Sequence, residues 1–197
     1  MRVAAVIVAG GRSSRMGRDK AFEEINGQSI LTRILARLKP QADLIVINAR
    51  DGQDQYSKTG YRLVPDILQI STSPFAGLHA ALQFARHENF DSVLTVPCDT
   101  PFLPDDLVAR LSGGESDAVI AASAGQMHYL TGLWASSLHA KLEKFLFEGQ
   151  LFRLQDWAAY CKAVAVDWPV EPYDPFFNVN TPNDLAEARR IAMELLI

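Results

Sequence analysis

Residues 6–20 read Val-Ile-Val-Ala-Gly-Gly-Arg-Ser-Ser-Arg-Met-Gly-Arg-Asp-Lys, an apolar, β-branched run that empties into paired glycines and then into a cluster of cations. Arg12, Arg15, Arg18 and Lys20 are set against one acid, Asp19. The chemistry this pattern suits is polyphosphate binding. Gly10 and Gly11 carry no Cβ, so backbone N–H groups can approach a ligand closely and take φ values that other residues avoid. The basic side chains then neutralise the incoming charge. An ordinary strand-to-helix turn with solvated charges is the alternative. Two familiar phosphate loops are excluded. A Walker A loop needs four residues between its glycines and then Lys-Ser or Lys-Thr, whereas five separate Gly11 from Gly17 and Arg18-Asp19 follows. There is no Gly-x-Gly-x-x-Gly either.

The elements that must position this loop alternate strand and helix. After a turn at Asn26-Gly27, Ser29 caps a helix whose apolar positions Ile30, Ile34, Leu35 and Leu38 share one face, and Pro40 ends it. Residues 44–47 are a short apolar run of the kind buried in parallel sheets, residues 51–60 read as loop, and residues 61–64 form a strand stopped by Pro65-Asp66. Ser73-Pro74 opens a helix, with Ala76-Gly77 near its start where a ligand can come close. Residues 92–96 are a buried strand running into Pro97-Cys98-Asp99-Thr100-Pro101. Pro104-Asp105-Asp106-Leu107 then starts a helix with acids in its first turn.

Such alternation marks an open, mostly parallel α/β sheet, in which ligands sit at the carboxyl ends of strands. Gly10, Asn48, Asp66 and Asp99 each follow a strand and therefore face one crevice. Taken singly, Asn48 or Asp66 is a turn residue more often than a ligand. In the second half, residues 118–121 and 128–134 form a strand pair, residues 136–147 and 152–160 have helical spacing, and residues 163–166 form a strand. A last helix starts at Pro182 behind a Thr181-x-x-Asp184 capping pattern.

The 197 residues suit one domain, with a hydrophobic fraction of 48% and a charged fraction of 21%. The first apolar run stops at Gly10 and basic residues follow, unlike a secretory segment. No stretch approaches the ~18 apolar residues of a membrane span, so the expected setting is cytoplasmic, with no membrane partner. A net charge of −4 argues against a general nucleic-acid binder. Cys98 and Cys161 lack the spacing of a disulfide framework or a zinc site.

Residues 8–20 closely resemble the signature loop of molybdenum cofactor guanylyltransferases, within the nucleotidyltransferases of glycosyltransferase-A-like fold. Pro74-Phe75-Ala76-Gly77-Leu78, Val96-Pro97-Cys98-Asp99-Thr100-Pro101, Phe152-Arg153-Leu154-Gln155-Asp156-Trp157 and residues 177–185 resemble the family's later motifs. The resemblance implies a three-layer αβα domain, with residues 1 to about 110 binding GTP and the remainder binding the acceptor. It also implies transfer of GMP from Mg-GTP to the terminal phosphate of molybdopterin or molybdenum cofactor. Arg15 and Lys20 would hold the triphosphate and favour its departing pyrophosphate. Asp99 would bind Mg²⁺, which favours one or two carboxylates plus phosphate oxygens and waters. Val8, Ala9, Gly10 and Gly11 would line the guanine and ribose side. Asn48, Asp66, Ala76 and Gly77 would complete the pocket, and Asn178 and Asn180 would contact the acceptor. Molybdenum-cofactor biosynthesis proteins and molybdoenzyme chaperones are the further partners implied.

Differences among relatives sharpen this reading. Cytidylyl-transferring members usually have Ala-Gly at Gly10-Gly11, and many have Asp where this chain has Asn180, which implies a single metal carboxylate here. An acceptor phosphate is already anionic, so no general base is expected. One departure is His128-Tyr129, where members commonly have His-Pro, so the acceptor contacts of that strand stay open. Trp157 and Phe152 could stack on a pterin, although aromatic spacing on a helix is more often core. The competing readings are a cytidylyl- or sugar-phosphate nucleotidyltransferase and a non-catalytic GTP-binding protein that delivers the cofactor.

Overall fold

Val3–Val8, the first strand, is buried at all six positions, which suits a strand covered on both faces in the middle of a sheet. The computed structural model describes residues 1–9, 19–49, 54–67, 74–148 and 153–194. In chain order the elements are β1 (Val3–Val8), a 3₁₀ turn (Lys20–Phe22), β2 (Glu24–Ile25), β3 (Gln28–Ser29), α1 (Ile30–Leu38), β4 (Leu44–Asn48), α2 (Asp54–Ser57) and β5 (Arg62–Val64). Then follow α3 (Pro74–His87), β6 (Ser92–Pro97), α4 (Leu107–Leu111), β7 (Ala118–Ser123), β8 (Gln126–Ala135), α5 (Leu138–Glu148), α6 (Leu154–Cys161), β9 (Val164–Trp168) and α7 (Pro182–Glu194).

Seven strands form one sheet in the order β5-β4-β1-β6-β8-β7-β9. All neighbours run parallel except β8, which is antiparallel to β6 and to β7. From β1 the chain steps to β4 on one side and to β6 on the other, so β1 ends at the switch point where open α/β sheets bind ligands. Two cores cover the faces. One joins the sheet to Ile30, Ile34 and Leu38 of α1, Leu107 and Leu111 of α4, and Leu185 and Ile191 of α7. The other joins it to Phe75, Leu78 and Leu82 of α3, Leu138 and Leu142 of α5, and Trp157 of α6. The expected three-layer αβα arrangement is the one found. No helix among the described residues is long and apolar enough to cross a membrane.

Several expected boundaries have a physical cause visible in the structure. Ser29 caps α1 by accepting the Thr32 amide at 3.1 Å. The Asn26-Gly27 turn has φ of 50° and 77°, values that Asn and Gly tolerate, and it closes the small β2-β3 hairpin. At α7 the capping box is complete: Thr181 Oγ1 accepts the Asp184 amide at 3.2 Å, and Asp184 Oδ2 accepts the Thr181 amide at 2.8 Å.

Three expectations change. The segment read as loop at 51–60 contains the single turn α2, pinned by fully buried Tyr56. The helix after Pro104 starts later, at Leu107, with no acid in its first turn. Asp106 accepts the Trp168 indole N–H at 2.9 Å and Asp105 pairs with Arg37, so both acids serve tertiary contacts instead of the helix dipole. Trp157 is fully buried, its ring 6.4 Å from Trp134 and 5.5 Å from Phe145, which makes it core and not a stacking platform. Phe152 lies outside the described residues.

Gly77 crosses β1 and β4 at close range. A Cβ there would lie 2.4 Å from Val8 Cγ1 and 2.8 Å from Asn48 Oδ1, both too close unless the helix or these buried side chains shift. Gly77→Ala is therefore expected to lower stability by about 1–3 kcal/mol through overpacking. A urea denaturation midpoint equal to wild type would rule this out.

Candidate active site

Sheet register brings the candidate residues together. Val8 pairs with Asn48 on β4 and with Pro97 on β6, and Asn48 pairs in turn with Val64. The strand ends of β5, β4, β1 and β6 thus lie in one row, from which Asp66, Ala9 and Asp99 emerge after β5, β1 and β6. The Ala9 amide donates to the Asn48 carbonyl at 2.8 Å and the Cys98 amide to the Val8 carbonyl at 3.2 Å.

Asn48 is fully buried and donates from Nδ2 to the Val64 carbonyl at 3.0 Å and to Asp66 Oδ1 at 2.9 Å. It holds the Asp66 carboxylate and contributes no exposed surface of its own. Val8, Ala9, Ala76 and Gly77 are buried as well. The gap at Gly77 is filled by Val8 and Asn48 side chains, so its missing Cβ serves helix-to-sheet packing where the sequence suggests an opening for a ligand. Gly10, Gly11 and Arg15 lie outside the described residues.

Lys20 opens the 3₁₀ turn, capped by Asp19 Oδ1 accepting the Ala21 amide at 3.2 Å and anchored by fully buried Ala21. Its Nζ contacts Asp99 Oδ2 and donates to Asn180 Oδ1 at 2.7 Å. Asp99 is fixed from both sides. Thr100 Oγ1 donates back to the Pro97 carbonyl at 3.2 Å, and the Asp99 carbonyl accepts the Val179 amide at 2.9 Å. That last bond, with Val179 fully buried, sets Asn178 and Asn180 beside Asp99 from the far end of the chain. Burial pushes the Asp184 carboxyl up, but the Asn180 and Thr181 amides, the Thr181 hydroxyl and Lys20 together hold it below the usual range.

Asp99 Oδ1 is buried and has no hydrogen-bond partner among the described residues. A carboxylate oxygen left without a partner suits a hard divalent cation, and the neutral amide of Asn180 leaves Asp99 as the charged ligand. Cys98 next to it is no nucleophile. Burial first, and then the charges of Asp99 and Asp19, push its thiol up to about 12, against Lys20.

Beside Asp99 opens a cavity of about 660 Å³, lined among others by Asn178, Asn180, His128, Tyr129, Thr131 and Phe177. Its wall depends on a local irregularity. Ile120 pairs with Gly132 but Ala121 pairs with His128, so residues 129–131 of β8 bulge out of the ladder toward the cavity. Thr95 Oγ1 donates to the Leu130 carbonyl at 2.7 Å and holds the bulge.

His128 belongs to a chain the sequence did not disclose. Ser123 donates to Asp174 Oδ1 at 2.9 Å and lies 2.7 Å from His128 Nε2. With the hydroxyl hydrogen committed to Asp174, His128 Nε2–H is the donor to Ser123. The cue available in sequence was the His128-Tyr129 departure, which marked this strand without naming its partners.

Burial pushes the His128 imidazole below its ordinary 6.5, with Asp174 opposing. The unfolded chain therefore takes up a proton more readily than the folded one. This contribution to stability is whole above about pH 6.5 and is lost as pH falls toward the folded value. Between about pH 7.5 and 5.5 the urea midpoint of wild type should fall more than that of His128→Gln. Parallel curves would overturn the assignment.

The sequence profile of the MobA-like NTP transferase domain matches residues 5–163. This chain belongs to that family. A molybdenum cofactor guanylyltransferase from Rhodopseudomonas palustris is 39% identical over 196 residues, covering 96% of this chain and 93% of its own. Another of that name from Rhizobium meliloti is 41% identical over 196 residues, with 93% and 89% covered. The structure of molybdopterin-guanine dinucleotide biosynthesis protein A from Archaeoglobus fulgidus superposes with a TM-score of 0.73 at 24% identity, covering 98% of this chain and all of that one. The Anaerococcus prevotii 4-diphosphocytidyl-2C-methyl-D-erythritol synthase also reaches 0.73, at 18% identity and with 98% and 96% covered. The fold is thus common to MobA-like proteins and to a 4-diphosphocytidyl-2C-methyl-D-erythritol synthase, and fold alone does not separate them.

Proposed function

We propose that this chain is a molybdenum cofactor guanylyltransferase, transferring GMP from Mg-GTP to the terminal phosphate of molybdopterin or its molybdenum-bearing form. The observation that carries this reading is the contact of Lys20 with Asp99 and Asn180 at the edge of the 660 Å³ cavity. It is supported by curated relatives of that name about 40% identical across nearly the whole chain.

An oxygen of the acceptor's terminal phosphate attacks the α-phosphorus of GTP, the α–β bridging P–O bond breaks, and its electron pair leaves with pyrophosphate. The nucleophile is already anionic at neutral pH, so the chain's task is positioning and charge stabilisation. Bound with the nucleotide, Mg²⁺ would supply positive charge at the triphosphate, held by Asp99. Lys20 and Arg15 hold the departing phosphates. Val8 to Gly11 and the Asn48–Asp66 pair form the base and ribose side, beneath which Ala76 and Gly77 pack. The Asp66 carboxylate, steadied by Asn48, suits the N1–H and exocyclic amine of guanine. Asn178 and Asn180 face the acceptor in the cavity. The nucleotide half runs to about residue 110 and the acceptor half beyond it, across one continuous sheet. The expected setting is the cytoplasm, with cofactor-biosynthesis proteins and molybdoenzyme chaperones as partners.

Incubation with Mg-GTP and molybdopterin should yield pyrophosphate and a guanine dinucleotide product. Binding to the native state raises thermal stability, so Mg-GTP should shift the melting temperature more than Mg-CTP. Equal shifts would favour a cytidylyl-transferring reading, and GTP binding without pyrophosphate release would favour a delivery protein.

A further inference from the structure

Away from the strand-end crevice, α3 and α5 pack against each other on the Trp157 side of the sheet, and their contact contains two histidines the transfer reaction does not use. His79 of α3 is 3% exposed and His139 of α5 is 7% exposed. Their rings lie 5.1 Å apart at 48°. All four ring nitrogens are buried without a hydrogen-bond partner among the described residues. Neutral imidazoles carry one donor and one acceptor each, and two placed this close could have bonded to one another. They do not. Glu143, one helical turn beyond His139 on the same face of α5, closes the group. Its Oε1 lies 3.7 Å from His79 Nε2 and its Oε2 lies 3.7 Å from His139 Nδ1. These distances exceed those of a hydrogen bond. One donor atom from each residue falls within 4.8 Å of the others.

We propose that His79, His139 and Glu143 bind a divalent transition-metal ion of the zinc type, which ties α3 to α5. Two imidazoles and a carboxylate form a donor set suited to zinc, whereas magnesium takes oxygen ligands. Zinc bonds of about 2.0–2.2 Å in a tetrahedral arrangement separate neighbouring donors by roughly 3.3 Å. The donors therefore need to close by a few tenths of an ångström to about 1.5 Å. Glu143, whose side chain is 56% exposed, has the freedom to make most of that adjustment. Its exposure also leaves the fourth position open to water. The ion meets one negative charge at the rim and two nitrogen lone pairs inside.

A simple His–Glu ion pair is the competing account, and it requires a proton on a buried ring. Such a pair would bring Glu143 within hydrogen-bonding distance of a ring nitrogen, whereas it stands 3.7 Å from both histidines. The consequence for the molecule is a clasp between α5 and the helix that carries Gly77 beneath Val8 and Asn48.

The test uses the full chain without a polyhistidine tag, stripped of metal and titrated with Co²⁺ as a coloured stand-in for zinc. One equivalent should develop the intense visible bands of a tetrahedral site, and Zn²⁺ should bleach them and raise the melting temperature. Glu143→Gln, at an exposed position, should fold normally and weaken Co²⁺ binding ~10-fold or more. His139→Ala should abolish the bands, and Asp99→Ala should retain them, separating this site from the nucleotide-linked cation. Absence of bands in wild type, or bands undiminished in Glu143→Gln, or bands lost in Asp99→Ala, would each overturn the proposal. Because Glu143→Gln removes no buried group, the test stands even if His139→Ala fails to fold.

Discussion

Asp99→Ala is expected to lower the turnover number for GMP transfer by about 10³-fold or more, with the chain still folded. Asp99 presents a buried oxygen with no protein partner among the described residues, and its other oxygen meets Lys20. Removing the carboxylate takes away the proposed Mg²⁺ ligand and leaves Lys20 held by Asn180 alone among the described residues. Fold stability should change little by comparison, because the Asp99 backbone carbonyl still accepts the Val179 amide and keeps the 97–100 loop in place. Steady-state pyrophosphate release, with circular dichroism as the folding control, reads both. Turnover within about tenfold of wild type would mean the reacting centre lies elsewhere.

Lys20→Ala carries the second largest effect, an expected loss of about 10²–10³-fold in turnover with a smaller change in GTP affinity. The ammonium matters most when charge accumulates on the leaving pyrophosphate, and an interaction made mainly in the transition state is read in kcat. The contact with Asp99 adds a second consequence of opposite sign. In the structure Lys20 itself neutralises Asp99, so a cation arriving there must displace it. Lys20→Ala should therefore bind Mn²⁺, as a paramagnetic probe of the proposed magnesium site, more tightly than wild type in the absence of nucleotide. Lys20→Arg should recover part of the turnover and keep the competition. A Lys20→Ala variant that loses Mn²⁺ binding would show that the pair is not a competition for one carboxylate.

Much of the fold was legible because its causes are local. The Ser29 and Thr181 caps, the Asn26-Gly27 turn and the buried β-branched runs each state their conformation within a few residues, and all of them are found. Residues 54–57 were not legible. A single polar turn has no periodicity to read, and what holds it is the burial of Tyr56 by distant parts of the chain. Asp105 and Asp106 misled for a related reason: acids after a proline and before an apolar residue look like the first turn of a helix, but Arg37 and Trp168 claim them through tertiary contacts.

The candidate site divides in the same way. Strand-end placement pointed to Asn48, Asp66 and Asp99, since each lies just past an apolar run. Gly77 was singled out for the right absence of a side chain and the wrong neighbour, because a glycine in a helix does not announce whether a ligand or a strand fills its gap. Ser123 and His128 meet across the β7-β8 hairpin, but Asp174 could not be joined to them from sequence, because only the loop before Asn178 brings it within hydrogen-bonding range of Ser123.

The sequence by itself determined the family and the αβα class and named the candidate cations and carboxylate, because signature spacing, capping and hydrophobic period are properties of neighbours along the chain. The tertiary structure alone decided that Lys20 meets Asp99 and Asn180, that Asn48 serves Asp66, and that two buried histidines face each other across α3 and α5. Those contacts span from 18 to 160 residues, and what fixes them is sheet register and the packing of helices on its two faces.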